Sequence, residues 1–342
     1  MMQKAGKKGL FVMKLNPSQL SKIVHNVLSY SFDENGKLHF HRFSQEQREI
    51  YALESQDWVI KTLSSASAAL DFITDSEFIT LKFDLYPGSS QRWGSVDLYV
   101  DGVFRANRYA DDLSIKLAGF ELPAGQHRVT VYFPWSAQTV VSEVHLSDGA
   151  SIIPVEKNLK MLCFGDSITQ GYTSKFSSLS YVNQVARALN AEVVNQGIGG
   201  YYFNEATIDA SILSYQPDII TVAYGTNDYS RYEAAEEYAE ASGKYIRKLA
   251  ELFPDTKILG ILPIYRNDQN HQVRKLYRSY SLDDARAILK KHYEALPNGY
   301  VLEETGIPHI PQAYAPDFLH PNEFGFSLMS QGVIRKIQEI LL

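Results

Sequence analysis

The hydrophobic pattern changes its period near residue 155, and that switch constrains the fold more than any other feature of the chain. From about residue 37 to 153 apolar residues alternate with polar ones. In "EFITLKFDLY", Ile79, Leu81, Phe83 and Leu85 share one face while Thr80, Lys82 and Asp84 share the other, the period of a half-buried strand. "SVDLYVDGVFRANRY" continues the pattern through Val96, Leu98 and Val100. It then meets Asp101-Gly102, a pair that tolerates positive φ and marks a hairpin. "GQHRVTVYF" and "TVVSEVHL" add further strands. Short strands separated by Gly, Pro and Asp turns predict an antiparallel, jelly-roll-like β-sandwich.

After residue 155 the strands become apolar throughout, and helices alternate with them. "KMLCF", "AEVVN", "DIITVAY", "KILGILPIY" and "GYVLEE" are the strands. The intervening helices are "YVNQVARALN", a stretch near 205–215, "EAAEEYAEASGKYIRKLAELF", "SLDDARAILKKHYEAL" and a C-terminal helix from about Glu323. Apolar strands each followed by a helix predict a parallel sheet covered on both faces. Right-handed crossovers then give an α/β three-layer, doubly wound fold. Residues 1–155 and 156–342 are therefore expected to form two domains. The sequence shows no internal repeat and no low-complexity tract.

In such a fold ligands bind beyond the carboxyl ends of the strands, so the polar residues there are the candidates for chemistry. The first strand runs into Gly165-Asp166-Ser167, within "CFGDSITQGY". The second ends in "NQGIGG", with glycines at 197, 199 and 200. The third ends in "YGTND", placing Asn227 and Asp228 at the tip. "DFLHP" sets Asp317 and His320 just before the last helix. Gathered on one rim, these supply the parts of an acyl-transfer site. A serine hydroxyl needs a base to become a nucleophile, and neutral imidazole fits that need at ordinary pH. The imidazole needs a carboxylate on its other nitrogen, and Asp317 lies within one short turn of His320. Charge developing on the carbonyl oxygen needs preorganised donors. The candidates are the N–H groups of Ser167 and Gly200 and the Asn227 amide. Asp166 and Asp228 are read as support, hydrogen-bonding nearby backbone. Each motif alone could equally be a polar turn, since Ser, Asp and Asn favour turns and helix starts.

The last 185 or so residues resemble the SGNH (GDSL-type) hydrolase family. "FGDSITQG" is similar to its serine block, "VVNQGIGG" to its glycine block, "YGTND" to its asparagine block and "DFLHP" to its histidine block, in family order. The resemblance implies a flavodoxin-like fold and a serine esterase. It implies Ser167 as nucleophile and Asp317 and His320 as its partners. The implied oxyanion hole comprises Ser167, Gly200 and Asn227, with Gly199 a register alternative. "GSVDLYVDG" resembles the GxDLY-like segment of a β domain that precedes this hydrolase type in some bacterial proteins. Jelly-roll-plus-SGNH arrangements occur among carbohydrate esterases and a few acyltransferases. The expected substrate is a small-molecule or oligosaccharide ester carrying a small acyl group, acetyl first, because no long apolar lid segment is present. The rivals are an acyltransferase with the same triad and a carbohydrate-binding module on an inactive scaffold.

Composition narrows the classes. The chain has 342 residues, 45% hydrophobic and 21% charged, the profile of a globular protein. A net charge of −6 offers no basic excess to neutralise phosphates, which argues against a nucleic-acid partner. The one cysteine, Cys163, excludes an internal disulfide framework and reads as a small buried hydrophobe. No metal or organic cofactor is expected; His39 and His41 have metal-like spacing without a supporting cluster, and are read as exposed strand residues. No apolar run is long enough to span a bilayer, and Leu10 to Met13 is too short for a signal-peptide core, so a cytoplasmic protein without a membrane partner is expected. Translation from Met13 would make the preceding residues a dispensable tail. His309 is expected to pack the loop near the histidine block. Residues 265 to 281, carrying Arg266, Arg274, Lys275 and Arg278, are either a substrate-contacting lid or a solvated helical face. Trp58, Trp93 and Trp135 either stack on sugars or serve as core and interface. The oligomeric state cannot be read from the sequence.

Overall fold

The computed structural model describes residues 12–266 and 279–342. Its first half contains strands β1 (Val12–Lys14), β2 (Val24–His25), β3 (Ser29–Phe32), β4 (Leu38–His41), β5 (Ala69–Thr74), β6 (Phe78–Pro87), β7 (Gly94–Val100), β8 (Val103–Ala110), β9 (Leu117–Glu121), β10 (His127–Tyr132), β11 (Ala137–Ser147) and β12 (Ile153–Pro154). They form two antiparallel sheets. One runs β3-β4-β11-β6-β9 with β1 on β11, and the other β12-β5-β10-β7-β8 with β2 on β5. Ile79, Leu81 and Phe83 of β6 meet Val96, Leu98 and Val100 of β7 in the core between them, the residues whose alternation predicts the sandwich. The β7–β8 turn has φ of 51° at Asp101 and 76° at Gly102, as a tight hairpin turn demands.

The second half holds β13 (Leu159–Gly165), β14 (Ala191–Gly197), β15 (Ile219–Ala223), β16 (Lys257–Ile261) and β17 (Gly299–Leu302). They form a parallel sheet in the order β14-β13-β15-β16-β17, the doubly wound order with its switch point between β13 and β15. Helices α5 (Tyr181–Leu189), α7 (Ala235–Leu252), α8 (Leu282–Glu294) and α9 (Glu323–Leu341) cover it; α5 packs with α9 and α7 with α8.

Three expectations need correction. The alternating half is interrupted by helices α2 (Gln45–Glu54) and α3 (Gln56–Thr62), and a four-residue α1 (Pro17–Leu20) precedes them. Ser44 and Gln47 form a capping box at the start of α2, and Ser55 caps α3 through the Asp57 N–H. The stretch near 205–215 is two 3₁₀ turns, Glu205–Thr207 and Ala210–Ser214. The Asn204 and Asp209 side chains cap each turn separately, five residues apart, so no continuous helix forms. Strand β7 is buried on both faces. Its polar face meets the second half, where Asp97 accepts the Ser178 N–H at 2.8 Å and the Tyr99 hydroxyl donates to Ser178 at 3.3 Å. Met13 lies within β1; residues 1–11 fall outside the described chain. No described helix is long and apolar enough to cross a membrane.

Candidate active site

The end of β13 turns directly into a one-turn helix, α4 (Ser167–Gln170). Asp166 caps it by accepting the Ile168 N–H at 2.9 Å. Gly197, at the end of neighbouring β14, lets the helix lie against the sheet, since a Cβ there would stand 2.3 Å from the Gln170 backbone nitrogen. Ser167 is thereby held at the strand ends, largely buried at 8% exposure. Burial pushes the Asp166 carboxyl up to about 6, against the hydrogen bond it accepts from the Ile168 N–H. Asp166 is thus a buried cap.

The histidine loop closes on this serine. Phe318, at φ 54°, turns the chain between Asp317 and His320. The Ala315 N–H donates to the His320 carbonyl at 2.8 Å, and the Asp317 carboxylate accepts the Leu319 and His320 N–H groups at 3.0 Å each. The other Asp317 oxygen lies 2.6 Å from His320 Nδ1, and His320 Nε2 lies 2.7 Å from Ser167 Oγ. With Nδ1–H donating to the carboxylate, Nε2 is left to accept from the serine hydroxyl. Partial burial raises the Asp317 carboxyl, but the hydrogen bonds from His320 outweigh it and hold the group down at about 2. The Tyr172 ring packs on the His320 ring at 4.6 Å, and Thr173 donates to the Pro321 carbonyl at 2.8 Å.

The glycine and asparagine ends complete the rim. Gly200 has φ 85°, in the left-handed region. The Gly199 N–H donates to Gln170 Oε1 at 2.8 Å. Neither the Ser167 nor the Gly200 N–H finds an acceptor among the described residues. Asn227 opens α6 (Thr226–Arg231) and donates one amide hydrogen to the Tyr201 carbonyl at 2.8 Å, leaving its second hydrogen over. Asp228 accepts the Phe203 N–H at 2.9 Å, and burial pushes its carboxyl up to about 7. The Asn227 and Asp228 contacts fasten the loop after β14 to the end of β15. All the sequence-predicted site residues therefore gather on one rim.

Residues 163–328 match the GDSL-like Lipase/Acylhydrolase family. This segment is a GDSL-like lipase/acylhydrolase domain. The match places the chain among carboxylic ester hydrolases. No curated protein sequence is similar enough to count as a match. Solved structures share the fold of the GDSL-like domain together with the preceding sandwich. The salicylyl-acyltransferase SsfX3 from a tetracycline biosynthetic pathway is 18% identical, with TM-score 0.77, over 99% of this chain and 97% of that one. A family two carbohydrate esterase from Cellvibrio japonicus is 17% identical, with TM-score 0.63, over 96% and 98%. An acetyl xylan esterase from the rumen bacterium Butyrivibrio proteoclasticus is 14% identical, with TM-score 0.64, over 97% and 99%.

Sequence reasoning missed the residues that the first half sends to the GDSL-like domain. Buried Arg42 donates to the Ser64 carbonyl at 2.7 Å, the Ser64 hydroxyl at 2.7 Å, the Lys61 carbonyl at 2.9 Å, the Gly197 carbonyl at 3.1 Å and the Asn195 carbonyl. Gln47 donates to Gln196 at 2.9 Å. Lys61 and Trp58 of α3 reach the glycine loop; Trp58 carbon lies 3.5 Å from where a Cβ on Gly200 would be. The signal was the Ser-x-x-Gln capping box at Ser44, which marks a helix inside a strand-rich region. Cys163 is buried, which pushes its thiol up to about 12. His39 and His41 are half-buried rather than exposed, paired with Asp33 and Ser31. No metal-ligating group of three or more gathers among the described residues. His309 packs on Tyr265 at 4.1 Å. Arg266 is buried at 4% exposure and donates to the Thr226 carbonyl and Ser230 hydroxyl, so it braces α6 instead of reaching out from a lid. Arg274, Lys275 and Arg278 lie outside the described residues. Trp135 is buried, its indole N–H donating to the Ser174 carbonyl at 2.6 Å, while Trp93 packs edge-on against it. Both serve the junction between the halves.

Proposed function

We propose that the chain is a serine esterase that removes a small acyl group, acetyl first, from a polar or carbohydrate-like molecule. The observation that carries this reading is the unbroken line from Ser167 Oγ through the His320 ring to Asp317, with contacts of 2.7 and 2.6 Å. In the first step Ser167 Oγ attacks the ester carbonyl carbon while His320 Nε2 takes its proton. Asp317 keeps Nδ1 protonated and stabilises the imidazolium that forms. The tetrahedral oxygen is received by the Ser167 and Gly200 N–H groups and the second hydrogen of the Asn227 amide. Gly200 is preferred to Gly199 because the Gly199 N–H is already bound to Gln170. His320 then protonates the leaving alcohol. Water attacks the acyl-enzyme in the second step, again through His320.

The small acyl preference draws on the sequence, which offers no long apolar lid segment suited to a lipid chain. The proposal takes residues 156–342 as the catalytic domain and 1–155 as the sandwich domain that walls one side of the site. The test is a panel of acetylated oligosaccharides with wild type and Ser167→Ala. Acetate release by wild type and its loss in the variant support the reading, whereas unchanged release by Ser167→Ala contradicts it. Acetyl, butyryl and longer esters should be hydrolysed in falling order; a peak at long chains would overturn the small-acyl claim. A second reading, acyl transfer to an alcohol in place of water, draws on the overall likeness to a salicylyl-acyltransferase. Product analysis with added acceptors separates the two.

A further inference from the structure

The peptide between Gly199 and Gly200 carries a donor of the proposed oxyanion hole, and its other end is held by a cation from the first half of the chain. The Lys61 ammonium, on α3, donates to the Gly199 carbonyl at 3.1 Å. Lys61 is only 9% exposed, its ammonium lies 4.4 Å from the centre of the Trp58 ring, and Asp57 pairs with it at 2.8 Å. Its own carbonyl is fixed by Arg42, which also reaches the Gly197 carbonyl. The distance from α3 to the glycine loop is therefore set by a fully engaged buried guanidinium.

We propose that Lys61 is a positioning residue for acyl transfer, acting through the Gly199–Gly200 peptide. A trans peptide is planar, so its C=O and N–H point in opposite directions. The described chain contains no cis peptide. Anchoring the Gly199 oxygen to Lys61 thus aims the Gly200 N–H away from α3, toward the space in front of Ser167. A positive charge on the carbonyl oxygen also polarises the peptide and strengthens its N–H as a donor, as happens along hydrogen-bonded chains. Gln170 holds the preceding peptide from the other side. Its Oε1 takes the Gly199 N–H, and its Nε2 donates to Ser64 at 3.2 Å and to the Gly88 carbonyl at 3.3 Å. The loop is therefore clamped between α4 and the first half of the chain. Interactions made to an oxyanion matter only as charge develops, so Lys61 should act on turnover and not on substrate binding.

This inference rests on the serine-esterase reading, and the experiment separates the two. Wild type, Ser167→Ala, Lys61→Met and Lys61→Arg are compared on an acetyl ester for kcat, KM and the rate of inactivation by an organophosphonate. The phosphonate forms a tetrahedral adduct whose oxygen needs the same donors. Lys61→Met should lower kcat and the inactivation rate together, by about tenfold or more, with KM within about twofold. Lys61→Arg, which keeps a charged donor, should recover much of that loss, while the melting temperatures of the two variants stay close to each other. A Lys61→Met enzyme with wild-type kcat and inactivation rate, or a loss confined to KM, or equal losses in Met and Arg variants, would overturn the proposal. Should Lys61→Met fail to fold, Lys61→Gln carries the same comparison. If Ser167→Ala still hydrolyses the ester, the esterase reading falls first; if it is inactive and Lys61→Met is normal, only this inference falls.

Discussion

On the histidine side of the site Asp317 and His320 meet across 3 residues of one loop, whereas on the glycine side Lys61 reaches Gly199 across 138 residues of chain. The first arrangement is local: a left-handed turn at Phe318 and hydrogen bonds within residues 315–320 shape it. The second exists only once the sandwich half has docked, because Arg42, Gln47 and Lys61 all belong to it. The contrast teaches that the bonds joining Ser167, His320 and Asp317 lie within the parallel-sheet half, while the proposed oxyanion donor on the Gly199–Gly200 peptide is held by a bond between the halves. A GDSL-like domain cut away from residues 1–155 would lose the Lys61 and Arg42 bonds to its glycine loop.

The largest expected effect breaks the local side. Ser167→Ala should lower acetyl-ester turnover by about 10⁴-fold or more, read as kcat under saturating substrate and kcat/KM under limiting substrate. On the opposite side, Asn227→Ala should lower kcat by roughly 10²- to 10³-fold through loss of one donor. Part of that loss reflects the freed Tyr201 carbonyl, which Asn227 also holds. Arg42→Met removes the buried staple between α3 and β14 and leaves several carbonyls unpaired. Chemical denaturation should show a loss of about 3 kcal/mol or more, accompanied by a fall in kcat as the glycine loop loosens. A loss of stability with kcat unchanged would separate the clamp from catalysis.

The smallest expected effect concerns Asp228, whose burial holds its carboxyl up at about 7 against an ordinary value of 3.8. The unfolded chain therefore loses this proton before the folded one does. The penalty for folding is absent below about pH 4, grows as pH rises toward 7 and is constant above it. Asp228→Asn keeps an acceptor for the Phe203 N–H and removes the charge. Thermal unfolding should show it stabilised at pH 8, by about 1–2 kcal/mol, with the gain shrinking toward pH 4. A gain that does not change with pH would contradict the buried-charge account.

Much of this was legible in the sequence because it is written in local patterns. The alternation in β6 and β7 and the apolar strands β13 to β17 announce the two sheets. The four strand-end motifs name Ser167, Gly200, Asn227 and the Asp317–His320 pair without any knowledge of contacts. What escaped was non-local or mixed in its signals. Helices α2 and α3 sit among strands, and their apolar faces make sense only against Tyr201 and the glycine loop, where Tyr51 and Trp58 meet the Tyr201 ring at 4.8 and 5.1 Å. The polar face of β7 looked solvent-exposed because alternation cannot distinguish water from a second domain. Arg266 read as a cation of either a lid or a solvated face because its burial depends on α6, forty residues earlier by the register of its bond to Thr226.

The central claim, that Ser167 is the acyl acceptor of this site, is tested most directly by trapping. The enzyme is mixed with an activated acetyl ester, quenched in acid, digested and sequenced by mass spectrometry. An added acetyl group should appear on Ser167 within the first turnover, decay as product forms and be absent in Ser167→Ala. Turnover with the acyl group on another residue, or persisting when Ser167 is alanine, would contradict it.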